Sequence, residues 1–310
     1  MNRIVISGEH DPCFNLALEE ELLFQADAGT MLYLWVNRPC VVLGRNQNPY
    51  LECDMDYLNG HQIGLVRRKS GGGAVYQDPG NLNYTFINRE GEGQPELQRR
   101  VLLEMIRELG VTAEYSGRND ILVNGRKVSG QAGYCENGNE YLHGTLMIRV
   151  NTVHLAHSLR PSKMKLESKG VRSVESRVVN LSEFMEDLDV EQVKMLLIRH
   201  FIRIYGPSQP PVLRTAVQGK PKGQSLYESR AWIVDSCPEY TAEMEFPFRD
   251  GLLKLRLQVK KGIIVRVQGS CDSLTGRDIS WIEEMLNGCR PDREQIIKII
   301  TERGMNDECI

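Results

Sequence analysis

Three consecutive glycines, Gly71-Gly72-Gly73, separate a run of cations from a strand-like stretch in the block RRKSGGGAVYQDPGNLNYTF at 67–86. Without Cβ atoms such a segment bends freely and lets a ligand approach its backbone. Successive exposed N–H groups in it can cradle an anion. Arg67, Arg68 and Lys69 add positive charge suited to phosphate or carboxylate. The same residues also suit a glycine-rich hairpin with solvated charges on its rim, and the glycines alone do not choose. No Gly-Lys-Ser/Thr closes the run and no Gly-x-Gly-x-x-Gly is present, which excludes a Walker A loop and a dinucleotide fingerprint.

The pattern around this block alternates strands and helices. A helix is predicted from Asn15 to Gln25, with Phe14, Leu18 and Leu22 on one face. Met31–Val36 and Cys40–Leu43 read as strands joined by a turn at Arg38-Pro39, and Leu82–Ile87 as a further strand. Pro95 to Leu109 reads as a helix stopped by Gly110. Between Val111 and Val150 short strands are expected, with tight turns at Asn124-Gly125 and Asn137-Gly138. Val190–Ile204 is an amphipathic helix capped by Asp189. The proline- and glycine-rich stretch 206–224 reads as a long surface loop. Three strands (Thr241–Phe248, Leu252–Val259, Ile263–Val267) and two helices (Arg277–Leu286, Asp292–Thr301) then form a small domain, with a boundary near residue 240.

The 310 residues carry a net charge of -3, so there is no basic excess to hold nucleic acid. No apolar run approaches the roughly 18 residues of a membrane span, and the first residues turn polar too soon for a signal peptide. The eight cysteines form no Cys-x-x-Cys pair and no zinc pattern, as expected of free thiols in a reducing cytoplasm.

Three further segments carry polar residues of interest. In GRNDILVNGRKVSG at 117–130, Lys127, in a strand next to a turn, could reach an α-phosphate and a carboxylate together, though a lone hairpin lysine reads far more readily as a solvated one. Asn119 and Asp120 also suit turn formation. His143 precedes Gly144-Thr145-Leu146 with no second histidine or acid at a metal spacing. The stretch KLESKGVRSVESRVVNL at 165–181 reads by itself as a surface loop.

Together with Asn15-Leu16-Ala17-Leu18-Glu19-Glu20 and WVNRPCVVLGRNQNPYLEC at 35–53, these blocks occur in an order and spacing that resembles the lipoate–protein ligase A family, within the biotin and lipoate ligase superfamily. The resemblance implies an α+β fold: residues 1–240 as a class II synthetase-like catalytic core, with a mixed, mostly antiparallel sheet flanked by helices, and 241–310 as a small α+β accessory domain. It implies ATP contacts from Arg68, Gly73, Ala74, Val75, Tyr76, Asn119, Asp120 and Lys127. Lys127 would also meet the lipoyl carboxylate, in a pocket formed with Ser70, Gly71, Gly72, Trp35, Leu16, Leu18 and His143. A loop carrying Lys165, Ser168, Lys169, Gly170, Val171, Ser173, Arg177 and Asn180 would close over the adenylate. Gln77, Leu142 and Glu175 depart from the family pattern, which commonly has histidine at the first two places and arginine at the third.

The implied reaction forms lipoyl-AMP from ATP and free lipoate, with magnesium arriving on the nucleotide and no metal site built by the protein. The acyl group then passes to a lysine of a lipoyl domain, in 2-oxoacid dehydrogenase complexes or the glycine cleavage H protein. The chain is expected to be a cytoplasmic monomer. Two other readings are an ATP-independent acyltransferase using Cys135 as a thioester and a non-catalytic lipoate-binding protein. The Arg68, triple-glycine and Lys127 set argues against the last.

Overall fold

The computed structural model describes residues 1–116, 119–160, 177–236, 239–248, 251–271 and 280–306. Among the loop residues named above, Lys165, Ser168, Lys169, Gly170, Val171 and Ser173 lie outside this set, as does Glu175. The chain divides into two compact units, 1–45 with 52–229, and 46–51 with 230–310.

The first unit contains β1 (Arg3–Ser7), β2 (Met31–Trp35), β3 (Cys40–Leu43), β4 (Gly64–Arg67), β5 (Val75–Gln77), β6 (Asn81–Arg89), β7 (Ala113–Tyr115), β8 (Asp120–Val123), β9 (Arg126–Glu136), β10 (Asn139–Met147) and β11 (Val212–Arg214). Eight of them form one sheet in the order β11-β1-β2-β6-β10-β9-β8-β7, and β4-β3-β5 form a second. The β11-β1-β2 pairings are parallel and the rest of the large sheet is antiparallel, giving the mixed α+β architecture expected. Asn124-Gly125 and Asn137-Gly138 all take positive φ (50°, 73°, 52° and 75°) and close the β8–β9 and β9–β10 hairpins.

Strand alternation divides the large sheet into two unlike faces. Leu82, Tyr84 and Phe86 of β6, with Leu32 and Leu34 of β2, join a core that includes Val101, Met105, Leu197 and Phe201. The last four belong to the helices Pro95–Glu108 and Val190–Tyr205. The second helix is started by a reciprocal capping box between Asp189 and Gln192. The opposite face presents Tyr33, Trp35, Asn83, Thr85, His143 and Thr145, and this face builds the site below.

Some elements differ from expectation. The first helix runs Pro12–Leu23, because Asp11 caps it and Pro12 occupies its first turn. It is buried nearly all round rather than along one stripe. β2 and β3 do not pair as a hairpin; they enter different sheets. The stretch 206–224 is not only loop: β11 pairs in parallel with β1, Val5 opposite Val212.

The second unit has a three-stranded antiparallel sheet, β12 (Tyr240–Phe248), β13 (Gly251–Lys260) and β14 (Ile263–Cys271), with helices Ser280–Leu286 and Arg293–Asn306. In β13, Leu253, Leu255, Leu257 and Val259 point into a core with Ile282, Leu286, Ile296 and Ile300. Among the described residues no helix is long and apolar enough to cross a membrane.

Candidate active site

The glycine block turns between β4 and β5, and Arg68 shapes it. This guanidinium is 6% exposed. Its Nε donates to Ser70 Oγ (2.9 Å) and Nη1 to the Val42 carbonyl (3.1 Å). Nη2 donates to the carbonyls of Gly71 (2.6 Å) and Gly73 (2.8 Å). The side chain therefore gathers the carbonyls of the turn. Gly72 takes φ +88°, which favours glycine, and its carbonyl packs so closely that a Cβ on Gly44 would stand 2.2 Å away. Burial pulls the guanidinium down to about 10, well above neutral pH, so its charge is kept. Among the described residues no carboxylate makes an ion pair with it. A buried cation without a contacting anion raises the local potential for an anionic ligand.

Ser70 continues inward. Its hydroxyl meets His143 Nε2 at 2.8 Å, and His143 Nδ1 meets Glu19 Oε1 at 2.9 Å. The same carboxylate oxygen accepts from Thr85 Oγ1 at 2.6 Å, and Trp35 Nε1 donates to that hydroxyl at 3.4 Å. Glu19, Ser70, Thr85 and His143 are all buried. A continuous polar chain thus ties the first helix, the floor of the sheet and the glycine turn together, so His143 orients rather than stands alone.

Lys127 lies at the other wall. Its Nζ is 2.8 Å from Asp120 Oδ1. The β8–β9 register shifts between Ile121 and Leu122. The backbone of Lys127 also bridges Val178, and Val179 N donates to the Lys127 carbonyl at 2.9 Å. The end of the 165–181 segment is thereby anchored beside the lysine.

These walls enclose one pocket lined by Leu16, Trp35, Val42, Arg68, Gly72, Gly73, Ala74, Val75, Gln77, Asn83, Asn119, Lys127, Gly130, Gln131, Ala132, His143, Gly144 and Thr145. Ten of the fifteen residues selected from sequence for the ATP and lipoate contacts converge there. Leu18 does not line it: two positions along a helix from Leu16 it points to the opposite side and is wholly buried. Tyr76 alternates away from Val75 and Gln77 and packs against Val41, Leu43 and Met147. Ser70, Gly71 and Asp120 support the walls without lining the pocket. Arg177 is partly exposed. The Asn180 side chain is committed to main chain: it accepts from Val150 N and donates to Val150 O, each at 2.9 Å.

Cys135 lines a different hollow, with Tyr115, Arg99 and Leu142. Its thiol is pushed up by desolvation and by Glu140 and Glu90, which leaves less thiolate for nucleophilic attack. Sequence reading missed Asn83, Gln131, Thr145, Glu19 and Thr85. The available signal was the alternation Asn81, Asn83, Thr85 between Leu82, Tyr84 and Phe86: a polar face on a strand buried along most of its length.

Comparison with known proteins shows the family and the fold. Residues 11–202 match the family described as lipoyl protein ligase A/B catalytic domain. Residues 237–308 match the bacterial lipoate protein ligase C-terminus. The chain is 34% identical to lipoate-protein ligase A of Psychrobacter cryohalolentis over 306 residues, 95% of this chain and 90% of that one. It is 34% identical to lipoate-protein ligase LplJ of Bacillus subtilis over 306 residues, 96% and 92% of the two chains. Among solved structures, LipL1 of P. falciparum in complex with lipoate superposes with a TM-score of 0.66 at 26% identity, covering 97% of this chain and 94% of that one. A lipoate-protein ligase A bound with ATP shares the fold, with a TM-score of 0.62 at 24% identity over 74% of this chain and 97% of that one.

Proposed function

We propose, for a chain that belongs to the lipoyl protein ligase A/B family, that it is a lipoate–protein ligase working through an acyl-adenylate. In the first step the lipoate carboxylate attacks the α-phosphorus of ATP, giving lipoyl-AMP and pyrophosphate. In the second the ε-amine of an acceptor lysine attacks the acyl carbon, giving an amide and AMP.

The observation that carries this reading is the meeting of Lys127 and the Arg68-shaped glycine turn in one pocket. Lys127 offsets the charge that develops as carboxylate oxygen bonds phosphorus, and the backbone of Gly73, Ala74 and Val75 holds the phosphates. Trp35 and Leu16 wall the acyl chain. The 165–181 segment, whose Val179 N–H donates to the Lys127 carbonyl, is the loop proposed to shield the adenylate from water. Magnesium would enter with the nucleotide and neutralise phosphate charge.

Lipoyl domains of 2-oxoacid dehydrogenase complexes and the glycine cleavage H protein are the proposed acceptors, met in the cytoplasm by a monomer. Residues 1–240 are proposed as the catalytic part and 241–310 as the accessory part. The test is lipoate-dependent exchange of labelled pyrophosphate into ATP, followed by a mass measurement on a lipoyl domain incubated with ATP and lipoate. Exchange together with one lipoyl increment is expected. Acyl transfer without ATP would identify an acyltransferase instead, and neither activity would leave a binding protein.

A further inference from the structure

Asn83 is 1% exposed and lines the pocket, yet its Nδ2 has no hydrogen-bond partner among the described residues. The other end of the amide is fixed, because Oδ1 accepts from Asn81 Nδ2 at 3.1 Å. A buried donor left unmade opposes folding, and its persistence calls for an explanation. We propose that Asn83 Nδ2 is the hydrogen-bond donor to the acyl oxygen of the substrate: to a carboxylate oxygen of lipoate during activation, and to the carbonyl oxygen of the adenylate during transfer. The assignment rests on the ligase reading above.

Register decides which ligand atom the amide meets. Across the pocket floor Asn83 stands opposite Trp35 on one side and Thr145 on the other. Beyond Thr145 comes Gly130, whose N–H points to Thr145 Oγ1 at 3.5 Å. A Cβ built on Gly130 would stand 2.4 Å from Lys127 Nζ, so the ammonium sits over that glycine. Adjacent strands are about 4.8 Å apart, which sets Asn83 roughly 10 Å across the floor from Gly130. The row therefore runs from an indole, through an amide donor, to an ammonium. A ligand with an apolar chain and an anionic head lying along it has its acyl group between the amide and the ammonium, one oxygen toward each. The phosphate cradle of the glycine turn belongs to another wall.

In the transfer step the amine nitrogen bonds to the acyl carbon and the carbonyl π pair moves onto oxygen, where the Asn83 N–H stabilises it. The pair then returns, the bond from acyl carbon to phosphate oxygen breaks, and AMP leaves with those electrons. The surplus amine proton passes to solvent. Asn83 would thus be a catalytic residue that acts in both steps.

The experiment compares the full chain with Asn83→Ala and Asn83→Asp; the second keeps the acceptor that Asn81 uses. Calorimetric titrations use lipoate, ATP and the primary-alcohol analogue of lipoate, which keeps ring and chain and has no carboxylate. Both variants should bind lipoate about tenfold more weakly or worse, with ATP and the alcohol changed less than about twofold. Asn83→Ala should slow aminolysis of supplied lipoyl-AMP about a hundredfold, with melting temperature unchanged. Equal weakening of lipoate and the alcohol would make Asn83 a shaping residue and overturn the assignment. Weakened ATP binding with lipoate unaffected would move the donor to phosphate, and unchanged kinetics would remove its role. Absence of pyrophosphate exchange in the unmodified protein would instead sink the ligase reading itself.

Discussion

Gly130 and Lys127 are coupled by what the glycine lacks: a Cβ there would lie 2.4 Å from Lys127 Nζ and 2.7 Å from Cε. Gly130→Ala should therefore displace the ammonium from the pocket while the flexible lysine side chain absorbs the clash. Misplacement of a catalytic group by about 1 Å can cost roughly a hundredfold in rate. Pyrophosphate exchange should fall by that order with the thermal melt little changed. Exchange within about twofold of the unmodified protein would show that the ammonium has no fixed place there.

Removing the charge should be worse than moving it. Lys127→Ala should lower adenylate formation by orders of magnitude, because a preorganised charge in a dry site contributes about 3 kcal/mol or more. Lys127→Arg should restore little, since a planar fork replaces a point charge 2.8 Å from Asp120. Single-turnover measurement of lipoyl-AMP decides this, and alanine activity within about threefold would refute the assigned role.

Arg68→Lys should damage activity although charge is conserved. The guanidinium makes four hydrogen bonds that shape the glycine turn, and an ammonium has neither the reach nor the planar geometry to replace them. A rise in the KM for ATP is expected, with loss of several degrees in melting temperature from the carbonyls left unpaired. Steady-state kinetics and a thermal melt on the same preparation provide both readouts.

Cys135→Ser should leave ligation nearly intact, because the thiol faces a hollow apart from the pocket. Its raised pKa also fixes a sign: at any given pH near neutrality less of it is thiolate than in a free cysteine. Alkylation by iodoacetamide should accordingly be slower than that of a model thiol. Loss of ligation, with an acyl adduct trapped on Cys135, would favour the acyltransferase.

A chain ending at Ser229 should fold, since the clusters around Phe201 and around Val41 consist of residues that precede that point. We propose that the C-terminal part helps close the site for the first step only; this truncation should then lose most adenylate formation and still transfer lipoyl from supplied lipoyl-AMP. Paired assays after circular dichroism test it. Equal activity in both steps would remove the proposed accessory role.

Sequence and structure contributed different kinds of information. Local chemistry was legible along the chain: the Asn-Gly turns, the Asp189 cap, the period-2 apolar run of β13, and the glycine turn preceded by cations all depend on neighbours within a few residues. The family pattern added an ordered set of blocks, and with it the assignment of Lys127 and Arg68 to one site. What the sequence could not supply was the partner of each side chain. Glu19 and His143 are far apart in the chain and 2.9 Å apart in space, and only the packing of the first helix over β6 and β10 brings them together. The separation of β2 from β3 into different sheets, the recruitment of β11 beside β1, and the placing of the Asn83 amide opposite Trp35 and Thr145 have the same origin. Strand order and register are set by long-range burial and backbone pairing, which leave little trace in local composition.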